Sequence, residues 1–209
     1  MTRAELSQKH WKYYLMLEKR FLETMDYVEL HEDNFNAFSN SYALLLQAIG
    51  AELDSVFKEF CGFGTDERKT ITDYARHILS NMPDVVEKKI ILQEYGIVIQ
   101  PFEMWDINQP GQSLQWWNAY ISVKHNRFNQ MSQANQKNTL NILGALFLIE
   151  MLLLKSITEN TTEIDVFDES STVFTLKNWT TKVVPVGEAF EVLGEMLTDN
   201  YNATRAFDV

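Results

Sequence analysis

The sequence predicts a mainly α fold: a bundle of four to five long helices with a small β-hairpin appendage. Three observations carry that reading. Long stretches place apolar residues on one face at helical spacing. The run ILGALFLIEMLLL, residues 142–154, reads as a buried central helix. Glycine, asparagine and aspartate gather at the breaks between these stretches, where turns and caps need them.

In chain order, residues 4–31 place Leu6, His10, Tyr14, Leu17, Phe21, Met25 and Val28 on one helical face. HEDN (31–34) offers capping side chains for a second helix over about 35–60. Its stripe is Phe35, Phe38, Tyr42, Leu45, Leu46, Ile49, Leu53, Val56 and Phe60. The glycines of CGFGT end that helix, and Thr65 or Asp66 can cap a third over roughly 66–80. Within the less regular residues 83–112, the β-branched KKIILQEYGIVIQPF predicts a short hairpin around Gly96. NQPGQS is a loop, and Ser113 is placed to cap a helix containing WWNAYISVKHNRF, residues 116–128. A further helix covers about 134–157. IDVF and TVFTL, separated by DESS, suggest a second hairpin, and 187–198 a last helix. Residues 1–160 therefore read as the bundle domain. Residues 161–209 read as an appendage, a hairpin plus a short helix, packed on the bundle.

Composition narrows the function. With 209 residues, 45% of them hydrophobic and 12% aromatic, the chain can bury a substantial core. A formal net charge of −11 argues against a general coat for nucleic acid or anionic membrane, although a local basic pocket can still handle RNA. Cys61 is the only cysteine, so a reducing compartment is expected. The N-terminal MTRAELSQKHWKYY has no apolar secretion core, and Glu150 interrupts an apolar run shorter than the roughly 20 residues that span a bilayer. A cytoplasmic protein with no membrane contact is the expectation.

The motif helix carries the chemistry. At about 100° per residue, Trp116, Trp117, Tyr120, Ile121, Lys124, Arg127 and Phe128 share one arc, with His125 at its edge. Lys124 and Arg127 are thus predicted to lie inside an aromatic wall made by Trp116, Trp117 and Tyr120. A buried cation needs a carboxylate, because an unpaired charge away from water is very costly. Glu18, Glu52 and Glu150 each fall on or beside the apolar face of their own helix. One internal polar network of three carboxylates and two cations follows. Such a network either fixes helix register or forms a phosphate-binding and catalytic site. Elsewhere, the four histidines show no metal-ligand spacing, and no nucleotide-binding or nucleophile-elbow motif occurs, so no metal or cofactor is expected. Cys61 at a helix end is read as packing before nucleophile.

LEKRF (17–21), YVEL (27–30), NFNAFSNSYALLLQAIGAELD (34–54), WWNAYISVKHNRF and ANQKNTLNILGALFLIE together resemble the HEPN-like helical proteins of bacteria, over about residues 10–157. The resemblance implies an all-α bundle that dimerises, and in many relatives a metal-independent ribonuclease of toxin–antitoxin or anti-phage systems. Their hallmark is an arginine followed four to six positions later by a histidine; here His125 precedes Arg127. Two functions are expected from this. One is a non-catalytic or regulatory dimeric interaction module, with an antitoxin-like protein as its expected partner. The other is a ribonuclease in which His125 is the general acid/base while Arg127 and Lys124 hold the scissile phosphate.

Overall fold

The computed structural model describes residues 1–182; the helix expected over 187–198 lies outside the described residues. Helix α1 covers 3–23 and is not uniform. Arg3–Leu6 and Lys12–Glu23 are α-helical, and between them Ser7–Trp11 forms a π turn in which the Lys12 amide donates to the Ser7 carbonyl. The extra residue in that turn shifts the helical phase. As a result the adjacent His10 and Trp11, together with Leu6 and Tyr14, all face inward. The helix ends earlier than its periodicity suggests. The Thr24 hydroxyl donates to the Phe21 carbonyl at 2.6 Å, and the chain tightens into a short 3-10 turn.

Helix α2 (Asn40–Cys61) starts five residues later than expected. His31 and HEDN form a separate 3-10 turn, and Ser39 is the cap, accepting from the Tyr42 amide. Gly62 ends it at φ 68, a left-handed conformation that costs glycine least. Helix α3 (Ile71–Asn81) is capped by Thr70 and Asp73 acting reciprocally, rather than by Thr65 or Asp66. Helix α4 is Gln115–Asn126 and helix α5 is Gln136–Thr158. Ser113 does not cap α4, because its hydroxyl accepts from the Asp106 amide instead.

The hairpin around Gly96 is present: β1 (Ile90–Leu92) pairs antiparallel with β2 (Ile97–Ile99). The second hairpin is not. Residues 164–167 are not a strand, and Thr175–Leu176, β3, joins the other edge of β1 to give the order β2-β1-β3. A long-range partner thus captured a segment whose alternation suggested a local one.

Helices α2 and α5 form the central pair, with α1 and α4 packed against both. An antiparallel bridge between Phe38 and Asn135 joins their starts, so the two helices run side by side in the same direction. Gly50 is where α4 comes closest to α2. A methyl group there would sit 2.4 Å from the Tyr120 ring. Ile90 and Ile99 pack over Gly144 of α5, seating the sheet on the bundle. Helix α5 is long and apolar enough to cross a membrane by length and composition, but 72% of its most apolar window is buried among the other helices. Its apolar surface is spent on the core.

Residues 164–176 pack against α1 and α5. Phe167, Val173 and Phe174 are buried. Trp11 stacks on Phe167 at 3.9 Å and donates through Nε1 to the Glu169 carbonyl at 2.7 Å. Phe174 lies against Phe147 of α5. The segment is a strap laid across the seam between α1 and α5.

Candidate functional site

The predicted union of cations and carboxylates splits into two places. Trp116, Trp117 and Tyr120 are buried as expected, and they are core. Trp116 donates through Nε1 to the Pro101 carbonyl at 2.7 Å, and the two tryptophans meet edge to face at 6.1 Å. No ring of this wall is open to stack a base.

Lys124, His125 and Arg127 are exposed, which corrects the prediction that Lys124 and Arg127 lie within the core. The wheel was right about phase but wrong about extent. Only Trp116 to Val123 are covered by neighbouring helices; the last turn of α4 runs past their edge, and Arg127 is already the cap. Phe128, on the same arc, is 93% exposed. Lys124 Nζ sits 5.3 Å from the Tyr120 ring centre and 3.2 Å from its hydroxyl. Among the described residues neither Lys124 nor Arg127 pairs with a carboxylate. Arg127 instead lines a shallow cavity of about 480 Å³ with Phe38, Ser39, Asn40, Phe128 and Met131. One signal for this surface was legible and missed: no aspartate or glutamate occurs between Asp106 and Glu150, in a chain otherwise rich in acids.

The three glutamates are buried or nearly so, with partners other than those expected. Glu18 accepts from the Tyr14 and Ser171 hydroxyls and from the Thr172 amide and hydroxyl, the last two at 2.8 Å. Burial, then the Glu18 charge, holds the Tyr14 hydroxyl well above the usual tyrosine range, so it stays a donor. Glu52 accepts from His10, Nδ1 to Oε1 at 2.5 Å. Glu150 is wholly buried, and neither of its oxygens has a partner among the described residues. Burial first, and the Glu52 charge second, raise its carboxyl well above the ordinary 4.5.

His10 therefore takes the place assigned to Lys124 and Arg127. It already stood on the inner face in the α1 periodicity, between Leu6 and Tyr14. Its own Nε2 is buried without a partner. Among the described residues no group of three or more His, Cys, Asp or Glu side chains is arranged to hold a metal ion. Cys61 is buried, and burial pushes its thiol up to about 12, so it is not a nucleophile near neutral pH.

A third feature was not anticipated. Between α1 and α2 runs a groove of about 770 Å³, lined by Tyr13, Met16, Leu17, Tyr27, Leu44 and Leu45 among others. Met16 is 47% exposed, Leu44 67% and Tyr27 88%. Arg20, Glu23 and Asp26 also line it.

No family model, curated protein or solved structure matches the chain.

Proposed function

We propose that the protein is a non-catalytic helical interaction module that acts as a homodimer, paired through the groove between α1 and α2. The observation that carries this is the clustering of exposed Tyr13, Met16, Tyr27 and Leu44 around one cavity. Contiguous exposed apolar surface on a single chain marks an interaction site more often than scattered residues do. The groove also carries both charge signs: Arg20 is paired with Glu23 at 2.7 Å within the chain, and Asp26 lines the same groove, so across a two-fold axis the Asp26 of one copy can approach the Arg20 of the other. The resemblance to HEPN-like bundles, which dimerise, supports the same reading, as does a cytoplasmic setting for a chain whose one cysteine is a buried free thiol. An antitoxin-like protein is then a candidate second partner.

Sedimentation equilibrium tests it. The wild type is expected to follow a monomer–dimer equilibrium, and Leu44→Glu, a change at an exposed position, to shift it to monomer with an unchanged circular dichroism spectrum. A monomeric wild type at high micromolar concentration rejects the reading.

The second reading, a metal-independent ribonuclease, draws on a different observation. Lys124, His125, Arg127 and Lys137 are exposed in a stretch without acids, beside the exposed Phe128. Cations without a carboxylate partner among the described residues, beside an open aromatic ring, suit a single-stranded polyanion. Incubation with structured RNAs in EDTA distinguishes the two: cleavage lost in His125→Ala supports the enzyme, and intact RNA supports the module.

A further inference from the structure

Glu150 is the least explained side chain in the core. It sits on α5 with no hydrogen-bond partner among the described residues. Tyr14 of α1 and Glu52 of α2 lie close enough to feel its charge; Tyr14 and the Ser171 and Thr172 hydroxyls of the strap in turn donate to Glu18, Glu52 accepts from His10, and the strap's own buried Asp165 accepts from the Lys182 amide. Among the described residues no lysine or arginine pairs with any of the three glutamates. An ionised Glu150 would thus be a bare charge facing another carboxylate, and its relief requires water.

The strap reaches this cluster through Ser171, whose hydroxyl lies 3.1 Å from that of Tyr14. Between Ile164 and Phe174 it has no helix or strand of its own. Its polar anchors on α1 are Glu18 with Ser171 and Thr172, Trp11 with the Glu169 carbonyl, and Arg3 with the Val166 carbonyl and Asp168. Segments tied by side-chain bonds open at lower free energy than packed helices do. Beneath it, Phe167 and Phe174 rest on Trp11 and Phe147, and Phe147 lies one helical turn before Glu150.

We propose that residues 164–176 are a proton-gated cover, closed while Glu150 is neutral and lifted from α1 and α5 when Glu150 ionises. The sign follows from linkage. The closed form holds the proton more tightly than the open, solvated form, so closure is complete at low pH and is lost as pH rises. Between the ordinary carboxyl value and the raised closed-state value, the opening constant should grow about tenfold per pH unit. Opening would expose Trp11, Phe167 and the Tyr14–Glu18 pair, surfaces the closed fold hides.

Hydrogen exchange followed by mass spectrometry on the full chain, from pH 5 to 9 and corrected for the intrinsic rate, reads this directly. In the wild type, amides of 164–176 should lose protection with that slope while those of α2 and α5 do not. Glu150→Gln should abolish the slope. Glu150→Met, which removes the charge with an apolar side chain of similar size, should do the same and covers the case in which the glutamine variant does not fold. An identical slope in the folded variant, a flat wild type, or loss of protection spread evenly over all helices would each overturn the proposal.

Discussion

Glu18→Ala removes the acceptor on which the strap and α1 converge. Four donors point at this carboxylate: the hydroxyls of Tyr14, Ser171 and Thr172 and the Thr172 amide. Glu18 is 2% exposed, so water does not replace it without movement of the strap. Each buried donor left unpaired costs about 1–3 kcal/mol, and stranding the partners of a buried charge about 3–5 kcal/mol in total, since the losses overlap. Against a typical domain stability of about 5–15 kcal/mol, that is a large fraction. For a chain of this length it corresponds to a fall in Tm of roughly 6–20 °C. Urea titration followed by far-UV circular dichroism measures it, with Ser171→Ala as the companion, expected to cost only about 1 kcal/mol because the carboxylate keeps its other donors. A Glu18→Ala loss below about 1 kcal/mol would refute the reasoning, because donors that cheap to abandon are not buried.

Other outcomes follow from the same geometry. Arg127→Ala and Lys124→Ala should each change stability by less than about 0.5 kcal/mol, since both side chains are exposed and unpaired among the described residues; a loss of several kcal/mol in urea would restore the buried network. Gly50→Ala drives a methyl group into the Tyr120 ring and should cost about 1–3 kcal/mol, unless α4 moves away, which the near-ultraviolet dichroism of its tryptophans would report. Glu150→Met should raise stability at neutral pH. Because burial raises the folded-state carboxyl above 4.5, the wild type should lose ground to this variant by up to about 1.4 kcal/mol per pH unit as pH climbs above that value, and parallel stability curves would contradict it.

Much of the fold could be read from the residues. The inner faces of α1 and α2, the buried character of α5 and the hairpin at Gly96 follow from periodicity and turn chemistry, which act locally. Helix ends were less legible: Ser39 is set by the bridge of Phe38 to Asn135, distant in sequence, and Thr70 by a reciprocal box with Asp73, three residues on, that competed with Thr65 and Asp66 nearby. Thr175–Leu176 was misread for a related reason: its partner, β1, lies more than eighty residues away. The candidate site was half legible. Misplaced carboxylates at Glu18, Glu52 and Glu150 did mark a buried cluster. Their partners did not follow, because a helical wheel gives the direction of Lys124 and Arg127 but not where the neighbouring helices stop. The inward turn of both His10 and Trp11 depends on a π turn that uniform helical spacing does not describe.

The groove between α1 and α2 carries the functional proposal, and a photocrosslinker tests it most directly. Leu44 would be replaced by p-benzoylphenylalanine in the full-length chain, irradiated at micromolar concentration, and the products mapped by mass spectrometry. Dimerisation through the groove predicts covalent homodimers whose crosslinks fall on Tyr13, Met16, Arg20 or Tyr27 of the second copy. Irradiated protein that stays monomeric, or dimers crosslinked only to the exposed corner at Phe128, would contradict it.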